Sequence, residues 1–82
     1  MKKEMIMAIR CGKRRENADE LQRVLTKFGC NIKMRLGLHE AGDVCSDEGL
    51  ILLHLIDSEG DIAHFEAALE KIDGIRFNTM EI

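Results

Sequence analysis

Residues 50–56 read LILLHLI, and both alternating sets of that run are apolar except at His54. Successive side chains of a strand point to opposite faces, so a run apolar on both sides belongs in the middle of a sheet, with each flank hidden from water. The chain has 82 residues, and a fold of that size hides only about 60–65% of the surface its unfolded chain would expose. It is read as one domain, residues 1–82, with little material to shelter such a strand.

The neighbouring segments decide what shelters it. Residues 4–11 carry Met5 to Ile9 as a short apolar run bounded by Gly12, the pattern of a first strand. Ala18, Leu21, Val24, Leu25 and Phe28 recur at helical spacing, with Asn17 expected as the N-cap, Glu20 three places on and Gly29 as the stop. Cys30, Ile32, Met34, Leu36 and Leu38 alternate with polar or small residues, which predicts a half-buried second strand with Cys30 on its core side. EAGDVCSDEG, polar and acidic, reads as a loop before the third strand. Ile62, Phe65, Ala68, Leu69 and Ile72 form a second amphipathic stripe, opened near Asp61 and closed by Gly74, and IRFNTMEI alternates as a fourth, edge strand.

The order is β-α-β-β-α-β, two strand-helix-strand halves without proline or a low-complexity linker between them. This is the split βαβ arrangement of α+β, ferredoxin-like folds. Right-handed crossovers place both helices on one face of a four-stranded antiparallel sheet, with strands one and three in the centre. Ile51, Leu53 and Leu55 then face one way, and Leu50, Leu52, His54 and Ile56 the other. Two helices cover one of these sets only. Hiding even ~400 Å² of the second is worth on the order of 10 kcal/mol before association costs, so a homo-oligomer packed through the open sheet face or edge is expected, with Leu50, Leu52, His54 and Ile56 at the contact.

Composition removes several functions. With 45% hydrophobic residues the chain is too apolar for disorder, and no apolar run approaches the roughly 20 residues of a membrane span, so no membrane partner is expected. The basic start MKKEMIMAIR is interrupted at Arg10 and reads as a strand, not a leader. Cys11, Cys30 and Cys45 are an odd set without a pairing pattern, which fits reduced thiols and a cytoplasmic location. A net charge of −3 argues against a generic polyanion binder, and the absence of Tyr and Trp, with no aromatic residue in strands one and three, argues against base stacking. No nucleic acid is expected to bind directly. A copper or zinc carrier of this topology needs a CxxC pair in its first loop, and Arg14 stands where the second thiolate belongs. Asp43, Asp47 and Glu48 read as solubilising loop carboxylates, and spacing alone does not bring a Cys45 nucleophile within reach of His39 as its base, so no catalytic residue and no enzymatic activity are assigned.

NADELQRVLTKFG, NIKMRLGL, GLILLHLID and LEKIDGIRF, in this order and spacing, resemble the small family of iron-only hydrogenase system regulators, whose members are similar to ACT domains and to the C-terminal domain of the nickel-responsive regulator. The resemblance runs from about residue 5 to residue 80, and its most particular piece is the R-x-G step of Arg35, Leu36 and Gly37. This chain departs from the family at Met34, where a small residue is common, near His39, where a proline is common, and in the longer, more acidic loop 40–48. The resemblance implies an ACT-like fold and a small oligomeric regulatory module, non-catalytic and without a cofactor.

In ACT-like modules the first strand-to-helix loop lines an effector pocket at a subunit boundary. Here that loop, CGKRRENADE, offers Gly12, Lys13, Arg14 and Arg15 ahead of a helix N-terminus, an arrangement able to seat a small anionic effector, with Arg35 and Gly37 at the end of strand two as further candidates. The same residues also describe a glycine turn whose cations are solvated or paired with Glu16, Asp19 and Glu20. A transition-metal sensor is the alternative, built from His39, Cys45 and His54 around the hairpin of strands two and three, although strand two lacks the closely spaced histidines of the nickel-responsive relative. A pure protein-interaction adaptor is the third reading.

Overall fold

A computed structural model describes residues 2–12, 14–38 and 49–82, with the backbone alone for residues 14–18 and Leu38. The first apolar run forms β1 (Lys3–Cys11), and the LILLHLI run lies within β3 (Gly49–Asp57). These pair antiparallel from Lys3 opposite Asp57 to Cys11 opposite Gly49. β2 (Ile32–Leu38) flanks β3 and β4 (Ile75–Glu81) flanks β1, giving the order β2-β3-β1-β4. With helices α1 (Arg14–Lys27) and α2 (Asp61–Glu70), this is the ferredoxin-like α+β fold, its two most apolar strands in the centre.

Both helices lie against one face. Met7 and Ile9 of β1, Leu53 and Leu55 of β3, Leu21 and Leu25 of α1, and Ile62, Phe65 and Leu69 of α2 are buried together. The Phe28 and Phe65 rings sit 5.1 Å apart at the join between the helices, a separation suited to offset aromatic contact. On β4 the same face carries Ile75 and Phe77, packed on the core, and Thr79, whose hydroxyl donates to Glu66 Oε2 of α2 at 2.7 Å.

Three local expectations need correction. Helix α1 begins at Arg14, not after an N-cap at Asn17. Arg, Glu and Ala are strong helix formers, so the helix extends backward through them toward the Gly12 turn. Gly29 does not end α1 in a left-handed conformation; α1 stops at Lys27 and the chain passes through a 3₁₀ turn, Gly29–Asn31. Cys30 therefore lies in that turn and is exposed, not on the core side of strand two.

The 3₁₀ turn is tied down by Asn31, whose amide donates to Ile56 O at 3.0 Å and to Asp61 Oδ2 at 3.2 Å, joining the end of β3 to the start of α2. Gly60, with φ of 80°, caps α2 where an L side chain would be strained, and its N–H donates to Asp57 Oδ1 at 3.0 Å. Gly74, with φ of 83°, makes the corresponding bend into β4. Among the described residues no helix is long and apolar enough to cross a membrane.

The decisive feature is a bulge in β2. Ile32 pairs with Leu55 and Met34 with His54, so Lys33 is an extra residue between two neighbouring rungs. An inserted residue switches the face of everything that follows it. Ile32 packs on the core, whereas Met34 and Leu36 take the rungs of His54 and Leu52 on the face away from the helices, and Leu38 takes the rung of Leu50. Met34 and Leu36 are 51% and 46% exposed there. The expectation that Ile32, Met34, Leu36 and Leu38 form one set on one face is thus corrected.

Candidate functional site

The open face is a grid set by strand register. Its first row runs Leu38, Leu50, Arg10, Arg76; its second Leu36, Leu52, Ala8, Asn78; its third Met34, His54, Ile6, Met80. Ile56 and Glu4 continue it as a fourth row. Leu50, Leu52, His54 and Ile56 are half-buried, and Met80 is 58% exposed. Apolar side chains fill the middle of the grid and charges mark its two ends. Sequence reasoning expected Met or Ile of strand one and alternate edge residues on this surface without naming Ile6, Ala8, Met34, Leu36 and Met80, because membership depends on pairing between strands and, for β2, on the bulge.

At one end Glu4 Oε1 lies 3.0 Å from His54 Nε2, on a diagonal between β1 and β3. At the other end Arg10 and Arg76 stand directly opposite each other on β1 and β4. Like charges directly opposite are unfavourable on a sheet surface. The two arginines, with Ala8, Leu50, Phe77 and Asn78, line a shallow pocket of about 340 Å³. Neither has an ion-pair or hydrogen-bond partner among the described residues. No sequence signal singled out this pair: Arg10 and Arg76 are 66 positions apart, and only the β1–β4 register brings them together.

The residues expected to seat an anion are distributed differently. Gly12 follows β1 in a turn, and its N–H donates to Gly74 O at 2.8 Å, so that donor is committed to the backbone. Arg14 and Arg15 occupy the first turn of α1; Lys13 lies outside the described residues. Arg35 sits opposite Leu53 on the helix-covered side, and its Nη1 donates to Gln22 Oε1 of α1 at 3.0 Å. Gly37 pairs with Ile51, which pairs in turn with Ile9. Strand β3 therefore stands between β2 and the β1 end that carries Gly12, a lateral separation of about 10 Å at ordinary strand spacing. Arg35 and Gly37 thus lie on the far side of β3 from Gly12.

Of the metal alternative, His39 and Cys45 lie outside the described residues, and His54 faces Glu4. Among the described residues no three His, Cys, Asp or Glu side chains group so as to hold a metal ion. Cys11 is buried under the helices and Cys30 exposed, at separate places in the fold.

No family model and no curated protein matches the chain. Among solved structures it is similar to the uncharacterized protein TM1266 of Thermotoga maritima, with a TM-score of 0.86, 22% identity, and coverage of 100% of this chain and 99% of that one. It is also similar to a PII-like signaling protein of Thermus thermophilus, with a TM-score of 0.56, 11% identity, and coverage of 100% and 88%. At these identities the likeness is one of fold: a four-stranded antiparallel sheet with two helices on one side.

Proposed function

We propose that this chain is a small, non-catalytic regulatory module that assembles with itself through the open sheet face, responds to a small anionic effector, and serves an iron-only hydrogenase system in the cytoplasm. The observation that carries the reading is the open face itself, an apolar grid from Met34 on β2 to Met80 on β4. Two helices protect the opposite side, and Met34, Leu36 and Met80 are about half exposed on this one, where contiguous apolar surface marks an interaction site. The fold shared with a PII-like signaling protein supports the regulatory part, and the sequence resemblance to hydrogenase system regulators supports the process. The effector seat in this reading is the first loop, Gly12 to Arg15, at the N-terminus of α1. Arg35 is left to its bond with Gln22.

Native mass spectrometry of the purified chain tests the proposal. The expected spectrum is an oligomer carrying a small-molecule adduct, and Arg14→Ala with Arg15→Ala removes the adduct while leaving the oligomer. A transition metal retained at one equivalent per chain would replace the effector reading with the sensor. The hydrogenase assignment predicts that deleting the gene in a host with an iron-only hydrogenase lowers that enzyme's activity; unchanged activity removes the process from the reading.

A further inference from the structure

The two charged ends of the open face fit each other. A twofold axis between two facing sheets makes an isologous contact, in which residue i meets j and j meets i. If the axis runs along the strands, each row meets its own copy with the strand order reversed, so the arginines of both copies gather at one end and Glu4 of both at the other, and no carboxylate reaches Arg10 or Arg76. If it runs across the strands, the rows reverse. Glu4 then meets Arg10, Ile6 meets Ala8 and Leu52 meets His54, each centred on the same midpoint of the register. Larger and smaller side chains alternate across that contact, and strands of facing sheets remain aligned as ordinary sheet packing requires.

We propose that the arginine pocket of Ala8, Arg10, Leu50, Arg76 and Asn78 is a receptor for a carboxylate, and that the carboxylate is Glu4 of the partner subunit in a face-to-face dimer with reversed strands. This rests on the self-assembly reading above and adds the symmetry operator and the groups that select it. Three observations support the pocket as a receptor. The arginines are opposed on adjacent strands, where each needs a counter-charge. They have no ion-pair or hydrogen-bond partner among the described residues. Guanidinium pairs also match the planar geometry of a carboxylate. Glu4 is suited to the other half, since its side chain is 52% exposed and only Oε1 is engaged by His54. The reversed arrangement brings two arginine pockets and two carboxylates together, one at each end of an apolar centre, so the charges specify orientation while the apolar rows provide the contact area.

A charge swap read by analytical ultracentrifugation tests this. Glu4→Arg and Arg10→Glu, each alone, are expected to raise the dimer dissociation constant at least about tenfold at low salt, and the double variant to return it to within about threefold of wild type. Circular dichroism confirms that each variant is folded. A wild-type dimer indifferent to both single changes, or a double variant no better than the singles, overturns the reversed geometry while leaving self-assembly standing. A monomeric wild type overturns both. Inorganic phosphate is the probe for a free anion in the pocket: thermal stabilisation by phosphate that Arg10→Ala with Arg76→Ala abolishes, with no change in sedimentation, would assign the pocket to a diffusing ligand and overturn the partner's Glu4.

Discussion

At the scale of single residues, most of the fold's stability passes through a few side chains at the meeting of the helices and the two central strands. Phe65 is fully buried, lies against the Phe28 ring and belongs to the same buried cluster as Met7, Leu53 and Leu69. Truncating a buried phenylalanine removes its transfer free energy and leaves a cavity, at a cost of about 3–5 kcal/mol. A domain of this length is held by only about 4–12 kcal/mol in total. Phe65→Ala is therefore expected to lower the urea midpoint by a third or more and to leave a measurable unfolded fraction without denaturant. A shift of less than about 1 kcal/mol would mean that the helices do not depend on this contact. Arg35 shows the opposite case. Its bond to Gln22 is between exposed groups, and such pairs contribute little to stability.

At the scale of elements, what could be read from the sequence divides according to whether one strand's own pattern contains the information. The period-two alternation within β1, β3 and β4 sorts Met7, Leu53 and Phe77 from Ala8, Leu52 and Asn78, and the β-α-β-β-α-β order then yields the sheet. In β2 the alternation persists through Ile32, Met34 and Leu36, yet these residues do not share a face. Lys33 inserts the extra residue without a glycine or other signal to mark it. The start of α1 was obscured for a related reason: Asn17 with Glu20 imitates a capping box inside a helix that begins at Arg14. The arginine pocket was invisible because cross-strand pairing is a property of two segments.

The bulge yields a prediction at this scale. Deleting Lys33 restores a regular ladder and leaves Ile32 opposite Leu55 and Met34 opposite His54, so the fold should survive with a loss of about 1 kcal/mol or less. Deleting Arg35, two positions on, also absorbs the extra residue, but Lys33 then takes the rung of His54 and Met34 the rung of Leu53. The Arg35–Gln22 bond is lost, Met34 turns toward the helices and Lys33 replaces it on the open face, so this deletion should cost about 1 kcal/mol more than the Lys33 deletion. Chemical denaturation of the two variants compares them directly, and equal midpoints would show that the faces taken by Lys33 and Met34 do not matter to stability.

At the scale of the whole molecule, the asymmetry between the two sheet faces has a thermodynamic signature that does not depend on knowing the ligand. One face is sealed within the chain by α1 and α2, while Leu52 lies at the middle of the other, between Leu36 on β2 and Ala8 on β1. If that face is closed by a second copy, the folded state is linked to protein concentration, and a dimer that unfolds to two chains gains about 1.4 kcal/mol for each tenfold rise in concentration. The thermal midpoint of the wild type should then climb by roughly several degrees over a hundredfold range. Leu52→Glu places a charge at the centre of the contact, where it would be desolvated in the dimer and solvated in the free chain. This variant is expected to sediment as a single subunit and to melt at a temperature independent of concentration, with native circular dichroism, because Leu53 and Leu55 beneath the helices are untouched. A wild-type midpoint flat across that range, matching the variant's, would place the apolar rows in water and withdraw the basis for assembly through this face.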